Sequence, residues 1–222
     1  MKKIIKTTVA VFWLAISCAV LAAAPAGAPT DKDPDAYKGL SPDDQARLKK
    51  GEVVIVKELG KDDTSNTQGY VKAAMIVNQP LQKVYDLMAQ DARQAEFVPY
   101  LDKVTQVQTY PDGDNIEERL RIIIMMTFRV RWHHDPQKYR LHWELDPAFK
   151  NDLKRLEGFW QFYYVDDTHT LCRYGTITEI GFGIPKSILK FLIQRDIPAA
   201  LGNQKQWIES NGAWRKPGYK PN

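Results

Sequence analysis

Whatever acid–base or nucleophilic chemistry this 222-residue chain performs rests on four histidines, two cysteines and a few tyrosines and arginines toward its C-terminus. His133 and His134 are adjacent, so on a strand they point to opposite faces, and neither they nor His142 and His169 have a second ligand at zinc-like spacing. No metal is expected, and these histidines read as surface or turn residues. Asp135 follows His134, but Pro136 turns the chain there, which makes a poor acid–base pair. Cys172 falls on an inward phase and reads as a small core residue, since a nucleophilic thiol needs an activating base that the sequence does not place. No glycine-rich loop follows a strand and opens a helix, and no cofactor is expected. Arg195 is the better candidate. Ile184, Ile188, Phe191, Leu192, Arg195 and Ala199 recur at helical spacing. If that face lines a pocket, Arg195 would hold a carboxylate, phosphate or enolate oxygen of a ligand. Otherwise it is a helix-edge arginine paired with Asp196 or a strand carboxylate.

The elements that must position these groups are mostly strands. In "RLRIIIMMTFRVRW", residues 119–132, Leu120, Ile122, Ile124, Met126, Phe128, Val130 and Trp132 take every even position, and Arg119, Arg121, Arg129 and Arg131 take odd ones. Period-two alternation with β-branched and aromatic residues is a strand, or two strands joined by a bend near Met125. The run is too short for a membrane helix, which needs about 18 apolar residues. Ile123 and Met125 leave the outer face apolar as well. They are either a covered patch or a docking surface for a protein or a membrane. Tyr139, Leu141, Trp143 and Leu145 share a second inner face, and Leu156, Gly158, Trp160, Phe162 and Tyr164 a third. The last strand turns Cys172, Tyr174, Thr176 and Thr178 inward. So many hydroxyls suit a cavity with a polar wall better than a solid core, where each would need a partner.

Around these strands, "EVVIVKEL" and "GYVKAAMIVN" read as two more, and Pro80 opens a helix with Leu81, Val84, Tyr85 and Met88 at helical spacing. A short helix near "ARQAEFVPY" follows, and a long one, "PKSILKFLIQRDIPAALGNQKQWIES", comes last, kinked near Pro198. A sheet apolar along its whole length must be covered, and the last helix is the available cover. The fold class is therefore α+β.

The first residues, "MKKIIKTTVAVFWLAISCAVLAAAPAGA", join a basic start to an apolar core and small residues, the pattern of a secretory signal over 1–26. The alternative is a lipoprotein signal with Cys18 lipidated. Either way a periplasmic protein is expected. Loss of three lysines with the signal lowers the formal charge from +4 to +1. A near-neutral chain gives no reason to expect nucleic-acid binding. Residues 27–50 are rich in Pro, Asp and Lys and read as a linker, with a short helix at "SPDDQARLKK"; 51–214 form the domain, and 215–222 a polar tail.

The stretches "VKAAMIVNQPLQKVYDLMAQ", "FVPYLDKV", "YRLHWEL", "LKRLEGFW", the T and Y of "THTLCRY", and "IPKSILKFLIQRDIPAAL", in this order and spacing, resemble the START-like superfamily (SRPBCC). The likeness is to its bacterial polyketide cyclase/dehydrase and lipid-transport branch, which includes coenzyme Q-binding proteins. The resemblance implies a helix-grip fold: a strongly curved antiparallel sheet wrapped around a long C-terminal helix, two short helices after the first strand, and a hydrophobic cavity between. It implies a hydrophobic small molecule as partner, whether lipid, sterol or hopanoid, quinone or polyketide-like. The cavity wall would then include Ile122, Ile124, Met126, Phe128, Trp143, Trp160, Tyr164, Tyr174, Thr176, Ile188, Phe191, Leu192 and Arg195. A non-catalytic binding or transport protein is the leading reading. The alternatives are a cyclase or dehydratase using Arg195 with Tyr164 or Tyr174 on a keto-ligand, and a ligand-free interaction module.

Overall fold

Residues that alternate in sequence pair side by side in space. The computed structural model describes residues 23–58, 70–121, 125–180 and 195–221. Eight strands form one curved, fully antiparallel sheet: β1 (Val54–Glu58), β2 (Tyr70–Val77), β3 (Leu101–Tyr110), β4 (Gly113–Arg121), β5 (Met125–Asp135), β6 (Arg140–Leu145), β7 (Leu153–Asp166) and β8 (His169–Ile180). Their order is β1-β2-β8-β7-β6-β5-β4-β3, so the last strand crosses to pair with β2 while β3 to β8 run as a meander. The helices are α1 (Pro42–Lys49), α2 (Leu81–Met88), a 3-10 turn (Asp91–Glu96) and α3 (Ile197–Glu209). The two short helices follow β2, because β1 adds an edge strand ahead of it. Pro198 lies in the first turn of α3, where its missing N–H breaks no helical bond. The first half of the expected C-terminal helix, 181–194, lies outside the described residues.

The stretch 119–132 is two strands. Arg121 pairs with Met125 at the end of the β4–β5 ladder. Ile122 to Ile124 lie between the two and outside the described residues. Along β5 the expected alternation holds: Met126, Phe128, Val130 and Trp132 are buried, and the odd positions are half-exposed. The concave face carries the main core, onto which α2, the 3-10 turn and α3 pack through Leu81, Val84, Phe97, Leu201, Trp207 and Ile208.

The convex face corrects the expectation of a linker over 27–50. Ala36, Leu40 and Leu48 are buried against Val54, Ala74, Tyr163 and Leu171 of β1, β2, β7 and β8. The cause is that Tyr163 and Leu171 are apolar on the outer phase and must be covered. Thr30 forms a parallel bridge with Tyr164, and the Arg173 guanidinium donates to the carbonyls of Ala36 and Lys38 at 2.5 and 2.8 Å. Helix α1 begins in a capping box, in which Ser41 Oγ accepts from the Asp44 N–H and Asp44 accepts from the Ser41 N–H, each at 3.1 Å. The C-terminal tail is docked as well, since Lys216 Nζ donates to the carbonyls of Val98 and Leu101 at 2.7 and 2.6 Å. Among the described residues, no helix is long and apolar enough to cross a membrane.

Candidate functional site

Sheet curvature leaves a cavity of about 190 Å³ between the concave face, the α2 and 3-10 segment and α3. Its sheet wall is aromatic, and the cross-strand register builds it. Trp132 pairs with Trp143, Trp143 with Gly158, and Trp160 with Tyr174. The Trp132 and Trp143 rings sit 4.6 Å apart, Trp160 and Tyr174 4.7 Å, and Trp143 and Tyr174 5.8 Å. Gly158 makes this continuous. A Cβ there would lie 2.4 Å from the Trp143 ring and 2.5 Å from the Gly175 carbonyl oxygen. Only hydrogen at that position lets the indole lie flat on the sheet.

Polar groups punctuate the wall. Glu118 of β4 is buried and lines the cavity. No group hydrogen-bonds its carboxyl among the described residues, and burial, reinforced by the charge of Asp91, pushes its pKa up to about 8. Burial therefore favours the protonated acid over the carboxylate at neutral pH. The Tyr174 hydroxyl is pushed up to about 12, chiefly by burial, against the lowering bond to Thr176. Trp132 Nε1 and Gln94 Nε2 are buried without a hydrogen-bond partner, and both residues line the cavity. No lysine or arginine is among the described residues that line it.

Of the residues expected at the site, the structure brings Trp143, Trp160, Tyr174 and Thr176 together in the cavity wall. Met126 and Phe128 share the inner face but are packed into the core away from the cavity. Tyr164 is not at the site. It lies near the far end of β7, its hydroxyl donating to Asp167 at 3.0 Å and its backbone bonded to Pro29 and Asp31. Arg195 is not there either. It is exposed, its Nε donates to Asp196 Oδ1 at 2.7 Å, and its guanidinium meets the Tyr100 hydroxyl, which is the helix-edge alternative. Ile122, Ile124, Ile188, Phe191 and Leu192 lie outside the described residues, as does Ile123; Met125 is half-exposed.

The sequence reading missed Glu118. Its signal was parity: Ile116, Glu118 and Leu120 continue the inward even phase, so one carboxylate stands on an apolar stripe. It also missed the partner of His134, which lies far away in sequence. His134 Nε2 is 2.8 Å from Asp91 Oδ2. Burial pushes Asp91 up to about 6 despite the opposing pull of His134. Burial pulls His134 down, yet the bond to and charge of Asp91 outweigh it and leave its pKa raised. His133 and His142 stack at 4.5 Å on the outer side, and His133 contacts Asp112 at 2.9 Å. Among the described residues no cluster of His, Cys, Asp and Glu is arranged to hold a metal ion. Cys172 is buried, and burial raises its thiol pKa, as an inert core thiol requires.

Comparison with known proteins places this geometry. A family model described as polyketide cyclase / dehydrase and lipid transport matches residues 77–205. No curated protein sequence matches. Among solved structures, a STAR-related lipid transfer protein from Xanthomonas axonopodis aligns with TM-score 0.59 and 8% identity, over 70% of this chain and 93% of that one. A START superfamily protein from Mycobacterium smegmatis aligns with TM-score 0.54 and 13% identity, over 64% and 97%. An aromatase/cyclase, Zhui, from Streptomyces sp. R1128 aligns with TM-score 0.53 and 12% identity, over 64% and 92%. At these identities the likeness is one of fold, which leaves activity to the site itself.

Proposed function

The chain belongs to the polyketide cyclase / dehydrase and lipid transport family, and from that premise we propose that it is a binding protein that holds a hydrophobic small molecule between sheet and α3. The aromatic wall carries this reading: Trp132, Trp143, Trp160 and Tyr174 face one cavity rather than a filled core. Size narrows the ligand. An engineered cavity of about 150 Å³ takes up benzene, so 190 Å³ suits roughly one or two fused rings, or the ring end of a longer molecule. Burying about 200 Å² of apolar ligand surface is worth about 5 kcal/mol before association costs. Calorimetric titration with tetralin, a bicyclic hydrocarbon, tests this. Saturable binding with a negative heat-capacity change supports it, and no saturable heat up to the solubility limit contradicts it.

The first residues support export to the periplasm as part of the same proposal, by a secretory signal or, alternatively, lipidation of Cys18. Cell fractionation with mass measurement of the mature chain tests both. The cyclase or dehydratase reading keeps one supporting observation, the buried Glu118 carboxyl in the wall of a cavity that Arg195 and Tyr164 do not line. Under that reading Glu118→Gln abolishes turnover of a keto-ligand while leaving its binding intact.

A further inference from the structure

Among the polar residues that line the cavity are Glu118, to whose carboxyl no hydrogen bond is made among the described residues, and Trp132 and Gln94, whose Nε1 and Nε2 are buried without a partner there. A buried polar group left unpaired is costly, so two unpaired donors beside a buried carboxyl at one cavity call for a common explanation. The two donors are N–H groups and hold no charge. The carboxyl is an acid in a site with no facing cation: the described lining contains no lysine or arginine. The titratable groups that Glu118 faces are Tyr174 on β8 and Asp91 at the head of the 3-10 turn, and the latter is occupied by His134. Neither can compensate an anion. Next to these groups stands the aromatic wall of Trp132, Trp143, Tyr174 and Trp160.

We propose that the cavity selects an uncharged, ring-sized apolar molecule that bears a carbonyl or hydroxyl oxygen, and that Glu118 hydrogen-bonds this oxygen. This rests on the binding reading above and deepens it. A carboxyl that keeps its proton donates to a ligand oxygen, and its own carbonyl oxygen accepts from a ligand hydroxyl. Trp132 Nε1 and Gln94 Nε2 supply further donors. A ligand carboxylate or phosphate is rejected, because it would enter a largely aromatic site with no positive partner among the described lining residues. Arg195, which would have served an anion, is held at the surface by Asp196 and Tyr100. Glu118 is thus a specificity residue that sorts ligands by charge.

The test uses the full mature chain, three probes of one skeleton and two variants. Tetralin, α-tetralone and tetralin carboxylate are titrated at pH 6.5 into wild type, Glu118→Gln and Glu118→Leu. The expected result is that α-tetralone binds about tenfold tighter than tetralin, and tetralin carboxylate at least tenfold weaker than α-tetralone. Glu118→Leu removes the preference for the ketone, and Glu118→Gln, which keeps a donor, retains it. Between pH 6.5 and 9 the affinity of wild type for α-tetralone falls about tenfold as Glu118 loses its proton, while that of Glu118→Gln stays level. Equal binding of tetralin and α-tetralone by all three proteins overturns the role of Glu118 and leaves the apolar-ligand reading standing. Carboxylate binding as tight as ketone binding overturns the charge selection. Failure of every probe, tetralin included, removes the binding reading and this proposal together. Thermal melts of each variant separate lost binding from lost folding.

Discussion

Replacing Glu118 by Gln should stabilise the protein, and the pH at which it does so is fixed by the structure. The carboxyl titrates near 4.5 in the unfolded chain and near 8 in the fold, where burial and Asp91 oppose its charge. A raised carboxylate pKa means that the folded state holds the proton more tightly. Folding is therefore unpenalised below pH 4.5, and stability is lost as pH rises from 4.5 through 8. Each pH unit in that window costs about 1.4 kcal/mol, so by pH 7 the cost is about 3 kcal/mol. Gln cannot ionise and does not incur it. A gain of about 3 kcal/mol in a chain of this size raises the melting temperature by roughly 6–12 °C. Thermal unfolding followed by circular dichroism at intervals from pH 5 to 9 is the assay. The curves should nearly meet at pH 5 and diverge steadily to pH 8. Parallel curves, or a variant less stable throughout, would show that Glu118 is ionised and well partnered, and the account of its chemistry would be wrong.

Other perturbations have equally definite outcomes. Gly158→Ala places a Cβ against the Trp143 ring and the Gly175 carbonyl; it should cost about 2–3 kcal/mol in urea unfolding, and a neutral result would mean that the ring does not lie over the glycine. Asp91→Asn removes the charge that holds up His134, so the imidazole pKa followed by NMR should drop to below the ordinary histidine value; an unmoved titration would break the pairing. Arg195→Ala should leave the affinity for α-tetralone unchanged in calorimetry, since the guanidinium is tied to Asp196 and Tyr100. A large loss would return Arg195 to the site.

Parity made most of this molecule readable. Strands β5 to β8 and their inner faces follow from alternation, because one side of an antiparallel sheet is buried and the other wet. The same rule places Trp143, Trp160, Tyr174 and Thr176 in the cavity. Sites that depend on contacts distant in sequence were not readable. Residues 27–50 are polar in composition, yet Ala36, Leu40 and Leu48 bury themselves on an outer sheet face whose need for cover only the assembled strands reveal. Helical spacing put Arg195 on an apolar face, but a flexible arginine follows its nearest carboxylate, Asp196. Tyr164 shares a face with Trp160, but the long β7 carries it beyond the end of the cavity. Parity included Glu118, but a glutamate reads by default as solvated, and its chemistry appears only once the strand register buries it.

The central claim is that this cavity holds an apolar molecule, and native mass spectrometry of gently purified protein tests it most directly when wild type is compared with Ala200→Phe. Ala200 lines the cavity from α3, and a phenyl group there fills the space in front of the sheet wall. Wild type should carry a bound mass that is released on denaturation and recovered as an uncharged, ring-bearing compound, while the folded variant carries none. A wild type that flies empty and takes up no α-tetralone, or a variant with the same bound mass as wild type, would contradict the account.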